Sequence, residues 1–177
     1  GKPQPPPPPP PPAPVPVPPP PPGCTTWLDD TKIHNSTTFR NAKAFGAKGD
    51  GVTDDTAAIN RALSQGRDIV ATLVNQPAVV YLPPGIYVVS KTLQMGFDTF
   101  IHGNPRCETK ILWMGGGIAI GGPPSCDHCE HTGDFFYGVT GVSVDLSKSG
   151  ACNNRSFRIL QISCDDCNCR CIVVGNT

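Results

Sequence analysis

The chain has 177 residues, of which 38% are hydrophobic, and its 14 basic and 14 acidic side chains give a formal net charge of zero. That balance offers nothing to nucleic acid or an anionic membrane surface, and no apolar run approaches the roughly 18 residues that a membrane-spanning helix needs. Nine cysteines are many for a reducing compartment and point to an oxidising one, so secretion to the extracellular space or cell wall is expected.

Proline occupies 16 of the first 22 positions. Residues 3–22 are expected to form a polyproline II rod of roughly 60 Å, at about 3.1 Å per residue. Residues 1–22 thus read as a stiff linker or as a stalk for docking or cell-wall association. Residues 23–177 are enough for one domain with its own core. Cys24 to Ser36 is a lead-in anchored by Trp27, and Phe39 to Phe45 suits a short strand or extended segment. Gly46, Gly49, Asp50 and Gly51 are turn chemistry. Thr53 is expected to cap a helix over 53–64, with Asp54 and Asp55 in its first turn, where the helix dipole favours negative charge. Ala58, Ile59, Ala62 and Leu63 form its apolar face, and Gln65-Gly66 ends it.

After a loop over 68–76, Ala78 to Leu82 reads as a strand rich in β-branched and aromatic residues. Pro84-Gly85 fits the central positions of a type II turn, and Ile86 to Ser90 resumes the strand. Thr92-Leu93, Thr99 to His102, Lys110 to Trp113, Val139 to Leu146, Phe157 to Ser163 and Cys171 to Val174 follow as strands. A Gly-rich break at 115–117 and a loop at 121–133 interrupt them. Short strands with no helix after residue 66 argue against alternating strands and helices and suit a coil of stacked parallel rungs.

The string FGAKGDGVTDDTAAI, followed by AVVYLPPGIYVVSKTL at 78–93, resembles the N-terminal signature of the pectate-lyase-like superfamily of right-handed parallel β-helices. Trp27-Leu28-Asp29-Asp30, Phe39-Arg40-Asn41, and Phe135-Phe136-Tyr137 with Val142 to Leu146 are most similar to glycoside hydrolase family 55, the β-1,3-glucanases. The similarity covers roughly residues 27–146. It implies an all-β, right-handed parallel β-helix of few rungs over 23–177, with the helix at 53–64 covering its N-terminal end. An uncovered end would expose unpaired strand edges. No helix or loop remains after the strand at 172–174 to cover the other end. The domain is therefore expected to be incomplete at its C-terminus, with another chain or the rest of a longer one associating there.

Inverting glycosidases need two carboxyl groups facing each other across the sugar. Glu108 and Glu130 are the only glutamates; each adjoins a cysteine in a loop and is expected to be a solvated carboxylate. Asp54 and Asp55 look like a pair, but adjacent helix positions diverge by about 100° and both suit a helix start. Asp145, Asp165 and Asp166 are the candidate catalytic residues. Asp165-Asp166-Cys167 is similar to part of the polygalacturonase pattern, whose Asn-Thr-Asp and Gly-His-Gly are missing here. The family's general acid, a Glu on a later part of longer chains, has no counterpart.

Cys126-x-x-Cys129 with His128 and His131, joined by Cys164-x-x-Cys167, has zinc-like elements. The long interval between the pairs and the oxidising compartment favour disulfides among Cys24, Cys107, Cys126, Cys129, Cys152, Cys164, Cys167, Cys169 and Cys171, with the pairing open and one thiol left over. Asn35 and Asn154 lie in N-glycosylation triplets. Trp27, Trp113, Phe135, Phe136 and Tyr137 are either packed or stacked on sugar rings, with Trp113, Phe136 and Tyr137 the candidate glycan contacts. No metal or cofactor is expected. The implied partner is a polysaccharide, a β-glucan or another cell-wall glycan, and the implied function is that of a β-1,3-glucanase-like module without its catalytic acid. The alternative is a non-catalytic matrix or glycan-binding protein on a proline-rich stalk.

Overall fold

A computed structural model describes residues 16–34, 37–66, 77–96, 98–115, 120–121, 137–145, 147–148 and 156–159. Strands β1 (Phe39–Asn41) and β2 (Asp50–Asp54) precede the main run. Then follow β3 (Ala78–Leu82), β4 (Gly85–Val89), β5 (Leu93–Gln94), β6 (Thr99–Gly103), β7 (Thr109–Trp113), β8 (Ile120–Gly121), β9 (Tyr137–Thr140), β10 (Val142–Asp145) and β11 (Ser156–Ile159). The chain passes repeatedly through three strand positions, so β3 pairs with β6, β4 with β7 and β5 with β8, all parallel. Two larger sheets result, in the orders β1-β3-β6-β9 and β11-β10-β7-β4-β2.

Burial alternates along β6 and β7, as it must when successive side chains point to opposite faces. Stacking in register carries that alternation from rung to rung. Val80, Ile101 and Val139 form one fully buried file. Tyr87, Ile111 and Val144 form another from the second sheet, beside Val89 and Trp113. These files share one core with Leu93, Met95 and Ile120. Strands of two to five residues are too short to be stable singly, and the common core is what holds them.

Helix α1 (Thr31–His34) is a single turn, and α2 (Thr56–Ser64) is the longer one. The α2 residues Ala58, Ile59, Ala62 and Leu63 are buried in the main core, as the 3.6-residue spacing requires. Asn60 fastens it to the coil, donating to the Thr92 carbonyl at 3.0 Å and accepting from the Gln94 N–H at 2.8 Å. At its far end the buried Arg40 guanidinium donates to the Ala62 carbonyl at 2.6 Å.

The N-terminal arm lies against the outer side of β3, where Leu28, Phe39 and fully buried Tyr81 form a second cluster with Ile33 and Val79. The Tyr81 hydroxyl donates to Asp29 at 3.0 Å, and the Asn104 amide donates to the Cys24 carbonyl at 2.8 Å. A Cys24–Cys107 disulfide closes the attachment.

The structure corrects several expectations. The helix begins at Thr56 rather than Thr53, and 50–54 joins a sheet instead. Residues 39–45 divide into β1 and a 3-10 turn (Ala42–Phe45) ending at left-handed Gly46. Pro84-Gly85 is not a type II turn, since Gly85 has φ +156° and already belongs to β4. A side chain there would meet the Gly49 carbonyl oxygen at 2.5 Å, so close approach of two backbones is what requires glycine. Among the described residues the run of parallel pairing in the five-stranded sheet goes as far as β10, and β11 pairs with β10 antiparallel, with Val142 opposite Ile159 in register. The strand expected at 171–174 lies outside the described residues.

Candidate functional site

The acidic stretch at the heart of the sequence pattern is bound up with its own backbone. Asp55 is 1% exposed, and its two oxygens accept the Lys48 N–H at 2.7 Å and the Gly49 N–H at 3.0 Å instead of capping α2. Burial pushes its carboxyl up, against those two N–H donors. Lys43, half-buried nearby, is pushed down by burial, opposed by the charges of Asp55 and Asp29. Asp54 accepts from the Thr56 N–H at 3.0 Å with one oxygen and from the Ser90 hydroxyl with the other. Burial raises its carboxyl, but the bonds from Ser90 and Thr56 prevail and hold it below the usual range. Asp50 accepts from the N–H groups of Val52 and Thr53 and from the Thr53 hydroxyl, which hold it at about 2. All three carboxylates therefore organise the chain between β1 and α2.

These directions set the response to acid. Asp50 is depressed from an unfolded value of about 3.9, so its contribution is present above about pH 4 and is lost as pH falls through about 2. Asp54 and Asp145 act in the same sense. Asp55 acts oppositely: its raised value favours the fold at low pH, and that contribution fades as pH rises through the folded value. The thermal midpoint is expected to fall between about pH 4 and pH 2, and Asp50→Asn should remove part of the fall. Parallel falls in both proteins would count against this assignment.

Asp145 ends β10 on the outer face of the second sheet, in register with Leu112, Val88 and Asp54. Its carboxylate accepts from the Ser147 N–H at 2.9 Å. The Ser147 hydroxyl and N–H hold it below the usual range, and the charges of Lys110 and Lys148 add to this. It is thus kept ionised, suited to a base or an electrostatic role and unsuited to donating a proton. Asp54 lies three strand steps away, about 14 Å at the usual strand spacing, beyond the roughly 6.5–9.5 Å of an inverting pair. Glu108 pairs with Lys110 at 3.2 Å and is 61% exposed, a solvated loop carboxylate as read from the sequence.

Trp113 is 1% exposed and packs in the core, so its ring offers no face to a sugar; its indole N–H has no partner among the described residues. Trp27, by contrast, is 69% exposed. Tyr137 is described only as backbone of β9. Phe136, Asp165, Asp166, Glu130, Asn35, Asn154 and the cysteines other than Cys24 and Cys107 lie outside the described residues. Among the described residues no cluster of His, Cys, Asp or Glu could hold a metal ion.

One group of side chains went unnoticed in the sequence. Phe100 and His102, two apart on the outer side of β6, stack with ring centroids 6.4 Å apart. His102 Nδ1 and the Thr140 hydroxyl share a 2.5 Å hydrogen bond, and burial pushes the His102 imidazole down. Phe100 lies against Gly138, where a Cβ would come within 3.2 Å of its ring. The signal was present as Phe-x-His in a strand, whose period of two puts both rings on one face.

The model of the family described as rhamnogalacturonase A/epimerase, pectate lyase-like, matches residues 39–163. A protein of Penicillium expansum named non-secreted LysM effector LysM15 is 40% identical over 121 residues, which is 63% of this chain and 9% of that protein. The glucan 1,3-beta-glucosidase of Cochliobolus carbonum is 46% identical over 82 residues, 44% of this chain and 10% of that protein. Among solved structures, ORF18 of Geobacillus virus E2 superposes with a TM-score of 0.53 at 28% identity, covering 64% of this chain and 22% of that one. The chain thus spans about a tenth of the length of these two curated relatives.

Proposed function

From a chain that belongs to the pectate lyase-like rhamnogalacturonase A/epimerase family, we propose a secreted carbohydrate-active module that binds β-1,3-glucan or a related cell-wall glycan and does not hydrolyse it by itself. The observation that carries this reading is the parallel coil joined to its likeness to a glucan 1,3-beta-glucosidase. In this reading the coil is right-handed, α2 closes its N-terminal end, and the proline-rich segment is a polyproline II stalk. Secretion is supported by the Cys24–Cys107 disulfide; the name of the Penicillium relative points the other way.

The absence of turnover rests on chemistry. A general acid must keep its proton until it meets the leaving oxygen, and it typically contributes about 10²–10⁴-fold. Asp145 is held ionised, Asp54 is too distant to pair with it, and Asp50 and Asp55 are tied to backbone N–H groups. Sugar recognition has better material on the outer face of β6 and β9, where Phe100 offers an aromatic surface beside the hydrogen-bonding His102 and Thr140. A second reading, a non-catalytic matrix protein in which the coil is only a scaffold, is favoured by this same commitment of the acidic residues to structure.

The test is to titrate laminarin-type oligosaccharides into the purified chain by calorimetry and to follow glucose release in parallel. Measurable binding without release is expected. Turnover abolished by Asp145→Asn, Asp165→Asn or Asp166→Asn would overturn the proposal and locate a catalytic site. Failure of every glucan to bind would favour the scaffold.

A further inference from the structure

Two files of residues run in register across the outer face of β3, β6 and β9: Val79-Phe100-Gly138 and Tyr81-His102-Thr140. The N-terminal arm covers the β3 part of that face, where Tyr81 is fully buried. On β6 and β9 the face opens, with Phe100 and His102 half-buried and Thr140 exposed. The two rings are 6.4 Å apart between centroids, so a ligand resting on Phe100 covers His102 as well.

Among the described residues no counter-charge is held ready for His102. On β3 its register partner is Tyr81, whose hydroxyl donates to Asp29 and accepts from the Asn104 amide. Asp29, on the arm, also accepts from the Thr26 N–H and hydroxyl. On β9 the partner is the uncharged Thr140, at 2.5 Å. Around β6 itself, Asp98 precedes the strand, and in the turn after it Arg106 is exposed and Glu108 pairs with Lys110. Burial alone pushes the imidazole down, with no part from any of these charges.

A neutral imidazole can meet a sugar hydroxyl in either sense. Nε2 donates when Nδ1 accepts from Thr140, and accepts when Nδ1 donates. Protonated, the ring only donates, and a covering ligand strips water from a cation with no carboxylate to replace it. We propose that glycan binding on this face requires neutral His102 and is switched off by its protonation. The inference rests on the glycan-binding reading above and adds its regulation: an uncharged glycan is held near neutral pH and released in acid.

Two measurements on the full chain, with disulfides intact, test this. A laminarin-type oligosaccharide is titrated in by calorimetry at about pH 7.5 and about pH 4.5, on either side of the ordinary histidine range. The His102 ring protons are followed by NMR against pH, with and without the oligosaccharide. The dissociation constant is expected to rise at least about threefold at the lower pH. Saturating oligosaccharide should lower the His102 midpoint by at least about half a pH unit, the same coupling seen from the other side. His102→Gln, whose amide also donates and accepts, should show no such change of affinity between the two pH values. Equal binding at both, or tighter binding in acid, as an anionic glycan paired with the imidazolium would give, overturns the proposal and leaves the glycan-binding reading intact. So does an equal loss in His102→Gln. Absence of binding at both pH values, with the His102 midpoint unmoved, overturns the reading and the switch together. Should His102→Gln fail to fold or to bind, the midpoint of the unaltered chain decides: a fall on adding oligosaccharide supports the switch, and a constant or raised midpoint refutes it.

Discussion

Replacing Cys24 and Cys107 together by serine is expected to lower the free energy of unfolding by about 4 kcal/mol. The bridge joins residues separated by 83 positions, and the chain-entropy relation gives roughly 4.5 kcal/mol for a loop of that size, less whatever order the reduced unfolded chain retains. The folded structure adds a reason for the loss to be global. The arm that the bridge holds covers Tyr81, whose hydroxyl is bonded to Asp29 and Asn104, and burial pushes that hydroxyl up to about 12. Once the arm leaves, Tyr81 and Phe39 face water and β3 loses the cover on its outer side. Urea unfolding of the double variant beside the unaltered protein measures the effect. A loss below about 1 kcal/mol would mean that the arm is an ornament to a coil stable without it.

Asp55→Ala should cost about 3 kcal/mol. Leaving a buried donor without its acceptor costs about 1–3 kcal/mol, and Asp55 serves two, the N–H groups of Lys48 and Gly49. Relief from burying a charged group reduces the total. The loop so held is tight: a Cβ on Gly49 would meet the Tyr87 ring at 2.9 Å, and the Gly49 carbonyl accepts from the Ile86 N–H at 3.0 Å. Loss of Asp55 therefore loosens the contact between the loop and the start of β4. Asp55→Asn can accept only one of the two bonds well and should fall between the two proteins. Equal stability of Asp55→Ala and the unaltered chain would show that the loop is held by other means.

The strands of the coil were legible because their residues are β-branched and aromatic and turn residues separate them. The observed β3, β6 and β7 depart from their expected bounds by a residue or less. The helix was legible in its apolar face, Ala58, Ile59, Ala62 and Leu63, but not in its start. Locally, Asp50-Gly51-Val52-Thr53 reads as a turn and a cap. It became a strand because the Ile86 N–H donates to Gly49 and the Asp55 N–H donates to Val88, contacts across more than thirty residues that no local pattern carries. Asp55 read as a first-turn acid for the same reason: its partners precede it in the loop instead of following it in the helix.

The surface residues were harder still. Trp113 and Phe100 are both aromatic residues in strands, and only the parity of their positions decides which is buried; Trp113 aligns with Val89 inside, Phe100 with Val79 outside. Asp145 was correctly placed near a strand end, but its distance from other carboxylates depended on the rung count between β2 and β10. That count follows from the pairing of strands, which composition does not contain.

The central claim is that the acidic stretch at 50–55 builds the fold and that any glycan is met elsewhere. A thermal-shift measurement on Asp55→Asn, with and without a laminarin-type oligosaccharide, tests it most directly, because a ligand that binds only the folded state raises the midpoint by an amount that grows with the logarithm of its concentration relative to Kd. The account predicts a lower midpoint without ligand and a ligand-induced rise equal to that of the unaltered chain. An unchanged midpoint without ligand, together with loss of the ligand-induced rise, would contradict it.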